Sequence, residues 1–168
     1  METPKDLYEL YAEFGLAAEK AQVLEVEAGN VSLAFLSAFV DTNQITEEDR
    51  ARFRALVDDA NRKTLGALLK LIKSLGKFDQ SILDAIDEAL ERRNYLMHKF
   101  FRHHNFAICS EAGRKRMIEE LREIQRKLAL AHAMLYGISC TLAALAGRPA
   151  GSEELEAQFV REGKRVDI

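Results

Sequence analysis

The chain has 168 residues and a formal net charge of -3 at pH 7. That length can bury one core, and that balance excludes a surface cationic enough throughout to read as a general nucleic-acid binder. Two Pro, nine Gly and no Trp, beside many Ala, Leu and Glu, favour helices. The charge is unevenly spread. Residues 1–60 hold 13 acids and 5 bases, whereas residues 61–168 hold 14 acids and 19 bases, compatible with a cationic face on an acidic body. Cys109 and Cys140 lack the spacing of a zinc site or a disulfide framework, so they read as free thiols of a reducing, cytoplasmic compartment. Met1 to Leu10 lacks the basic start and apolar run of a signal peptide.

Thr3-Pro4 is a helix start, with Thr as N-cap and Pro in the first turn. Two heptad series follow: Leu7, Phe14, Ala21, Ala28 and Phe35, and Leu10, Ala17, Leu24, Val31 and Ala38. They predict one long helix over residues 4–40. A seam inside its own bundle and an intermolecular coiled coil use the same packing geometry, and the expectation is the former. Asp41-Thr42-Asn43-Gln44 reads as a turn. Thr46 with Asp49 resembles a capping box and opens a second helix running to about Leu75, with Phe53, Val57, Ala60, Leu68, Leu71, Ile72 and Leu75 on its apolar side. Gly76-Lys77 ends it.

Asp79 is an N-cap for a third helix. A fourth, capped by Ser110, repeats by seven through Met117, Ile124, Ala131, Ile138 and Leu145, and through Leu121, Leu128, Leu135 and Leu142. Leu128 to Gly147 is 20 residues without Lys, Arg, Asp or Glu, which is membrane-spanning length. The seam crosses into this run without a phase shift, so the expectation is a buried bundle helix, no membrane span. Gly147-Arg148-Pro149 stops it. No convincing strand is present. The fold class expected is all-α: an antiparallel four-helix, up-and-down bundle of long helices over residues 1–149, one domain. A tail at 150–168 holds a short helix near Glu153–Arg161.

The third helix carries a flaw. Leu83, Ile86, Leu90, Met97 and Phe100 recur as on a buried stripe, and Arg93 falls midway between Leu90 and Met97. A charge there costs stability unless it is paired or reaches water. Glu91, Asn94, His98, Arg102 and Asn105 form a polar strip beside it, with Asn94 and His98 one turn apart. A local breach of the core pattern is where function often sits.

Arg93-Asn94-Tyr95-Leu96-Met97-His98 resembles the Arg-x4-6-His motif of HEPN-domain proteins, in its form with Asn after the Arg. Arg126 and His132 also match the spacing, without the Asn or the stripe defect. The resemblance implies a small helical bundle and metal-independent endoribonuclease activity leaving a 2',3'-cyclic phosphate. It further implies a homodimer with the motif at its interface and, in many members, a toxin or defence role beside an antitoxin or nucleotidyltransferase partner. Carried over, the catalytic residues are Arg93, Asn94 and His98. Histidine as a residue type titrates near neutral pH, so His98 could move a proton, while Arg93 offers a fork of donors to a phosphate. On one ideal helix these two side chains stand about 140° apart, a gap that a two-fold dimer would close. Some toxin members carry a Tyr two residues after the motif His; Phe100 stands there, which puts regulation through that hydroxyl in doubt.

Arg92, Lys99, Arg102, His103 and His104 are the expected RNA-binding residues, with Phe101, Phe106 or Tyr95 as stacking candidates. Against that, Phe100 and Phe101 are expected in the core, as aromatics at helical spacing mostly are. Arg114, Lys115, Arg116, Arg122, Arg126 and Lys127 are interleaved with Glu119, Glu120 and Glu123, a salt-bridged face. His98, His103, His104 and Cys109 include metal-ligand types but lack paired clusters, and no Glu-x-x-His is present; no metal or cofactor is expected. The alternative function is a non-catalytic interaction module that binds a protein or nucleotide, with Arg93 paired to an acid on a neighbouring helix.

Overall fold

The computed structural model describes residues 4–37, 46–48, 51, 54–55, 58 and 62–145, and among them the chain is helical with no strand. Five helices are bounded: α1 (Lys5–Ser37), α2 (Leu65–Leu75), α3 (Gln80–His98), the single turn α4 (Phe100–His103) and α5 (Glu111–Leu145). A 3-10 turn, Ala107–Cys109, precedes α5. The expected turn at Asp41–Gln44, the apolar positions Phe53, Val57 and Ala60, the stop at Gly147–Pro149 and the C-terminal helix lie outside the described residues.

Both heptad seams enter the core, that of the last helix only as far as Leu135. Leu10, Ala17, Ala21, Leu24, Ala28 and Val31 are buried on α1, and Met117, Leu121, Ile124, Leu128, Ala131 and Leu135 on α5. Alanines on the α1 seam let the large α5 side chains approach its backbone, so the two long helices form the main contact. Ion pairs mark their sense. Arg114 Nε donates to Asp6 at 2.7 Å, and Arg122 donates to both Glu9 and Glu13 at 2.8 Å. Residue numbers rise together, so α1 and α5 run parallel.

The second predicted helix is broken. Lys63 is a bend and Thr64 an N-cap, its Oγ1 accepting from Ala67 N at 3.4 Å. Leu65, Leu68, Leu69 and Ile72 then form the buried stripe of α2. The start of α2 lies beside Glu25 of α1 and its end, Gly76, beside Phe35. Thus α2 also runs with α1. Among the described long helices α3 opposes them, with Phe78 packing edge-on against Phe35 at one end and Phe100 against Phe14 at the other. An up-and-down order of the four predicted helices would set the first against the last. In the structure the first and last of the described helices, α1 and α5, run together instead.

Asp79 caps α3 as expected, its carboxylate accepting from Ser81 N at 2.8 Å. Its buried stripe is Ile86, Ala89, Leu96 and Phe100, one residue out of phase with the Leu90–Met97 reading. Leu90 is half-buried against Gly66, and Met97 is 46% exposed. The helix is distorted at Lys99 (φ -129, ψ -25), and α4 carries Phe100 into the core.

The charge-free run departs most from expectation. Its apolar 18-residue window on α5 is only 17% buried, so this is one helix long and apolar enough to cross a membrane. A heptad seam buries one face only, and past Leu135 few described residues cover α5. Phe35, Phe78, Ile82, Met134, Ile138 and Leu142 line an open apolar groove there of about 440 Å³.

Candidate functional site

Arg93 does sit on the buried stripe of α3, between Ala89 and Leu96, with its side chain 24% exposed. Its charge is not left unpaired. One guanidinium nitrogen donates to Glu25 Oε2 of α1 at 3.4 Å. The other donates to Asn94 Oδ1 at 3.2 Å. The second Glu25 oxygen accepts from Leu65 N at 3.0 Å, one of the N–H groups that a helix start leaves without an internal partner. Glu25 therefore ties α1, α2 and α3 together at one point. No signal in the sequence names it as the partner of Arg93; an acid directly after seam residue Leu24 only hints at a charge beside the core.

Asn94 and His98 are exposed, one turn apart at the end of α3. The Asn94 hydrogen bond holds the guanidinium of Arg93 toward that face, while His98 forms no hydrogen bond or ion pair with a described residue. The three motif residues thus share one end of one helix; Arg93 and Asn94 are bonded to each other, and the His98 side chain stands apart from both.

The expected RNA-binding residues divide. Lys99, Arg102 and His103 are exposed, and the His103 ring lies 5.3 Å from that of Tyr95. Arg92 pairs with Glu88 at 3.8 Å, and Lys127 of α5 meets the same carboxylate at 3.1 Å. His104 is turned inward. Its Nε2 lies 2.7 Å from Glu120 Oε2 of α5 and 3.3 Å from the Tyr95 hydroxyl, with the Phe100 ring 4.8 Å away. Burial, and then the Glu120 carboxylate, push the Tyr95 hydroxyl up to about 12. This Tyr95–His104–Glu120 cluster escaped the sequence reading because its members stand nine and 16 residues apart on three elements. Of the two core candidates, Phe100 is buried and Phe101 is 36% exposed.

The second basic stretch is largely neutralised. Arg114 meets Asp6, Lys115 meets Glu111, Arg122 meets Glu9 and Glu13, and Arg126 meets Glu123. The hydrogen bond from Arg114 holds the Asp6 carboxyl below its ordinary range. Glu13 is lowered too: burial pushes it up, but hydrogen bonds from Gln125 and Arg122 outweigh that. Among the described residues no group of three or more His, Cys, Asp or Glu side chains is placed to hold a metal. Cys109 is exposed and Cys140 half-buried, both as free thiols. No protein-family model, no curated protein and no solved structure matches the chain.

Proposed function

We propose that this protein is a HEPN-like, metal-independent endoribonuclease of the cytoplasm, acting as a homodimer. What supports the reading most is the Arg93–Asn94 hydrogen bond. It offers a fixed cation at the face where His98 stands exposed and unengaged. In the reaction, the 2'-hydroxyl of RNA attacks the adjacent phosphorus. The 2'-oxygen–phosphorus bond forms and the bond to the 5'-oxygen breaks, leaving a 2',3'-cyclic phosphate and a 5'-hydroxyl. His98 takes the 2'-proton or supplies one to the leaving oxygen, and Arg93 stabilises charge gathering on the phosphoryl oxygens. Asn94 orients the guanidinium. A two-fold pairing of the α3 ends would bring two such sets into one cleft, and exposed Met97 beside His98 supplies apolar surface for it. The HEPN arrangement of helices, and a toxin or defence role with an antitoxin or nucleotidyltransferase partner, belong to the same proposal.

A second reading rests on the Arg93–Glu25 pair. If that pair is the whole role of Arg93, the chain is an interaction module binding a protein or nucleotide. RNA cleavage with EDTA present, comparing the chain with His98→Ala, separates the two. Cleavage that persists in EDTA, ends in a cyclic phosphate and vanishes in the variant is the expected result. Intact RNA throughout, or equal cleavage by both, would overturn it in favour of the module.

A further inference from the structure

Beside the motif lies a surface that the cleavage chemistry does not use. Tyr8 and Tyr11 stand one turn apart on α1, 63% and 52% exposed. The Tyr11 ring centroid lies 6.2 Å from that of Phe101 on α4, and Phe101 rests on Phe14 at 4.8 Å. The result is a ledge of aromatic rings along the α1–α4 junction, anchored from below. Two features argue about what it meets.

The cations at its edge meet no acid among the described residues. Lys99 and Arg102, one turn apart around Phe101, are exposed, and their side chains form no ion pair or hydrogen bond with a described residue. This contrasts with most of the bases of α5: Arg114, Lys115, Arg122, Arg126 and Lys127 are engaged, and Arg116 is the exception among the described residues. The acids of the same stretch of α1 are turned away and neutralised: Asp6 by Arg114, Glu9 and Glu13 by Arg122. Exposed rings beside unpaired cations, with nearby acids already satisfied, suit an anionic polymer with bases free to stack. An apolar protein surface would leave Lys99 and Arg102 unpaired at its rim.

We infer that Tyr11 and Phe101, flanked by Lys99 and Arg102, form a stacking platform for single-stranded RNA that leads the strand to His98. The inference rests on the ribonuclease reading for its substrate, but the platform itself is a binding surface and can be measured without cleavage. Each stacked base contributes about 1–3 kcal/mol, or roughly 5- to 150-fold in affinity. Each released counterion on a single strand adds about 0.7 to the salt slope.

The test uses the full chain carrying His98→Ala, so that bound RNA stays intact, and a fluorescently labelled ten-nucleotide oligo(U) followed by anisotropy. On that background, Tyr11→Ala is expected to weaken binding about tenfold. Tyr11→Phe, which keeps the ring, should stay within about twofold. Arg102→Ala should lower the slope of log affinity against log salt by about 0.7. Because Tyr11 is half exposed, circular dichroism should show all three variants folded. Equal affinity for Tyr11→Ala and its parent would overturn the inference. So would a Tyr11→Ala variant that turns a dimer into a monomer in sedimentation while binding RNA as before, which would assign the ledge to a second copy of the chain. The two proposals fail separately. Tyr11-dependent binding with no cleavage by the unaltered chain sinks the ribonuclease and keeps the platform. Cleavage whose KM ignores Tyr11→Ala does the reverse.

Discussion

Glu25 is where the fold and the proposed site compete for one arginine. Replacing it with Ala removes the acceptor for Arg93 and the acceptor for Leu65 N together. Arg93 and Glu25 are 24% and 32% exposed, so water screens the pair and the full cost of breaking a buried ion pair does not apply. Losing a hydrogen bond between charged groups at such a site costs about 1–2 kcal/mol. Losing a side-chain acceptor at a helix start costs about 1 kcal/mol more. Glu25→Ala should therefore destabilise the chain by about 2–3 kcal/mol, or roughly 5–10 °C in Tm at this size. Glu25→Gln keeps an acceptor for Leu65 and loses only the charge, so it should cost about half as much. Urea denaturation followed by far-ultraviolet circular dichroism measures both. A cycle with Arg93→Met isolates the pair: the double variant should be more stable than the two single losses predict, by at least about 1 kcal/mol. A coupling under about 0.3 kcal/mol would refute the assignment of Glu25 as the partner of Arg93. It would also leave Arg93 free for the cleft and weaken the module reading.

Gly113 and Gly29 form a matched pair of tests. A Cβ on Gly113 would lie 2.0 Å from the backbone oxygen of Ala107, so Gly113→Ala should cost about 2–3 kcal/mol as the 3-10 turn is forced off α5. Gly29 has open space around it, and Gly29→Ala in the middle of α1 should stabilise by about 1 kcal/mol; thermal melts showing the same sign for both would contradict the described packing. The phenol of Tyr95 gives a pH signature. Its value rises on folding from 10.0 to about 12, so its contribution to stability is complete below pH 10 and is lost as the pH climbs toward 12. An ultraviolet titration of phenolate should show a late step near pH 12, and Tyr95→Phe should abolish it. A Tyr95→Phe titration that keeps the late step would show that another tyrosine is responsible.

Much of this architecture is local and could be read along the chain. Helical content, the two seams and the Asp79 cap all follow from spacings of two to seven residues, because a helix repeats its faces every three to four positions. The break at Thr64 was harder to see. A capping box needs Glu or Gln three residues after the cap, and Ala67 stands there. The directions differ too: α3 opposes α1 and α5 runs with it, the reverse of what an up-and-down order of the four predicted helices implies. The phase of α3 was ambiguous for a related reason. Leu90 with Met97 and Ala89 with Leu96 both offer apolar residues seven apart, and packing against α1 and α2 selected the second pair. The motif could be read in six consecutive residues, Arg93 to His98, since proximity in sequence guarantees proximity on a helix.

What only the tertiary structure decided is which groups answer the charges. Glu25 lies 68 residues before Arg93, and Glu120 lies 16 beyond His104. No periodicity encodes such pairs. A helix determines its own faces, but the partner of each face depends on the direction and order of packing, which arise only when the seams of separate helices bury one another. The same step turned Phe100 inward, left Phe101 on the ledge, and brought acids of α1 to Arg114 and Arg122 while Lys99 and Arg102 met none among the described residues.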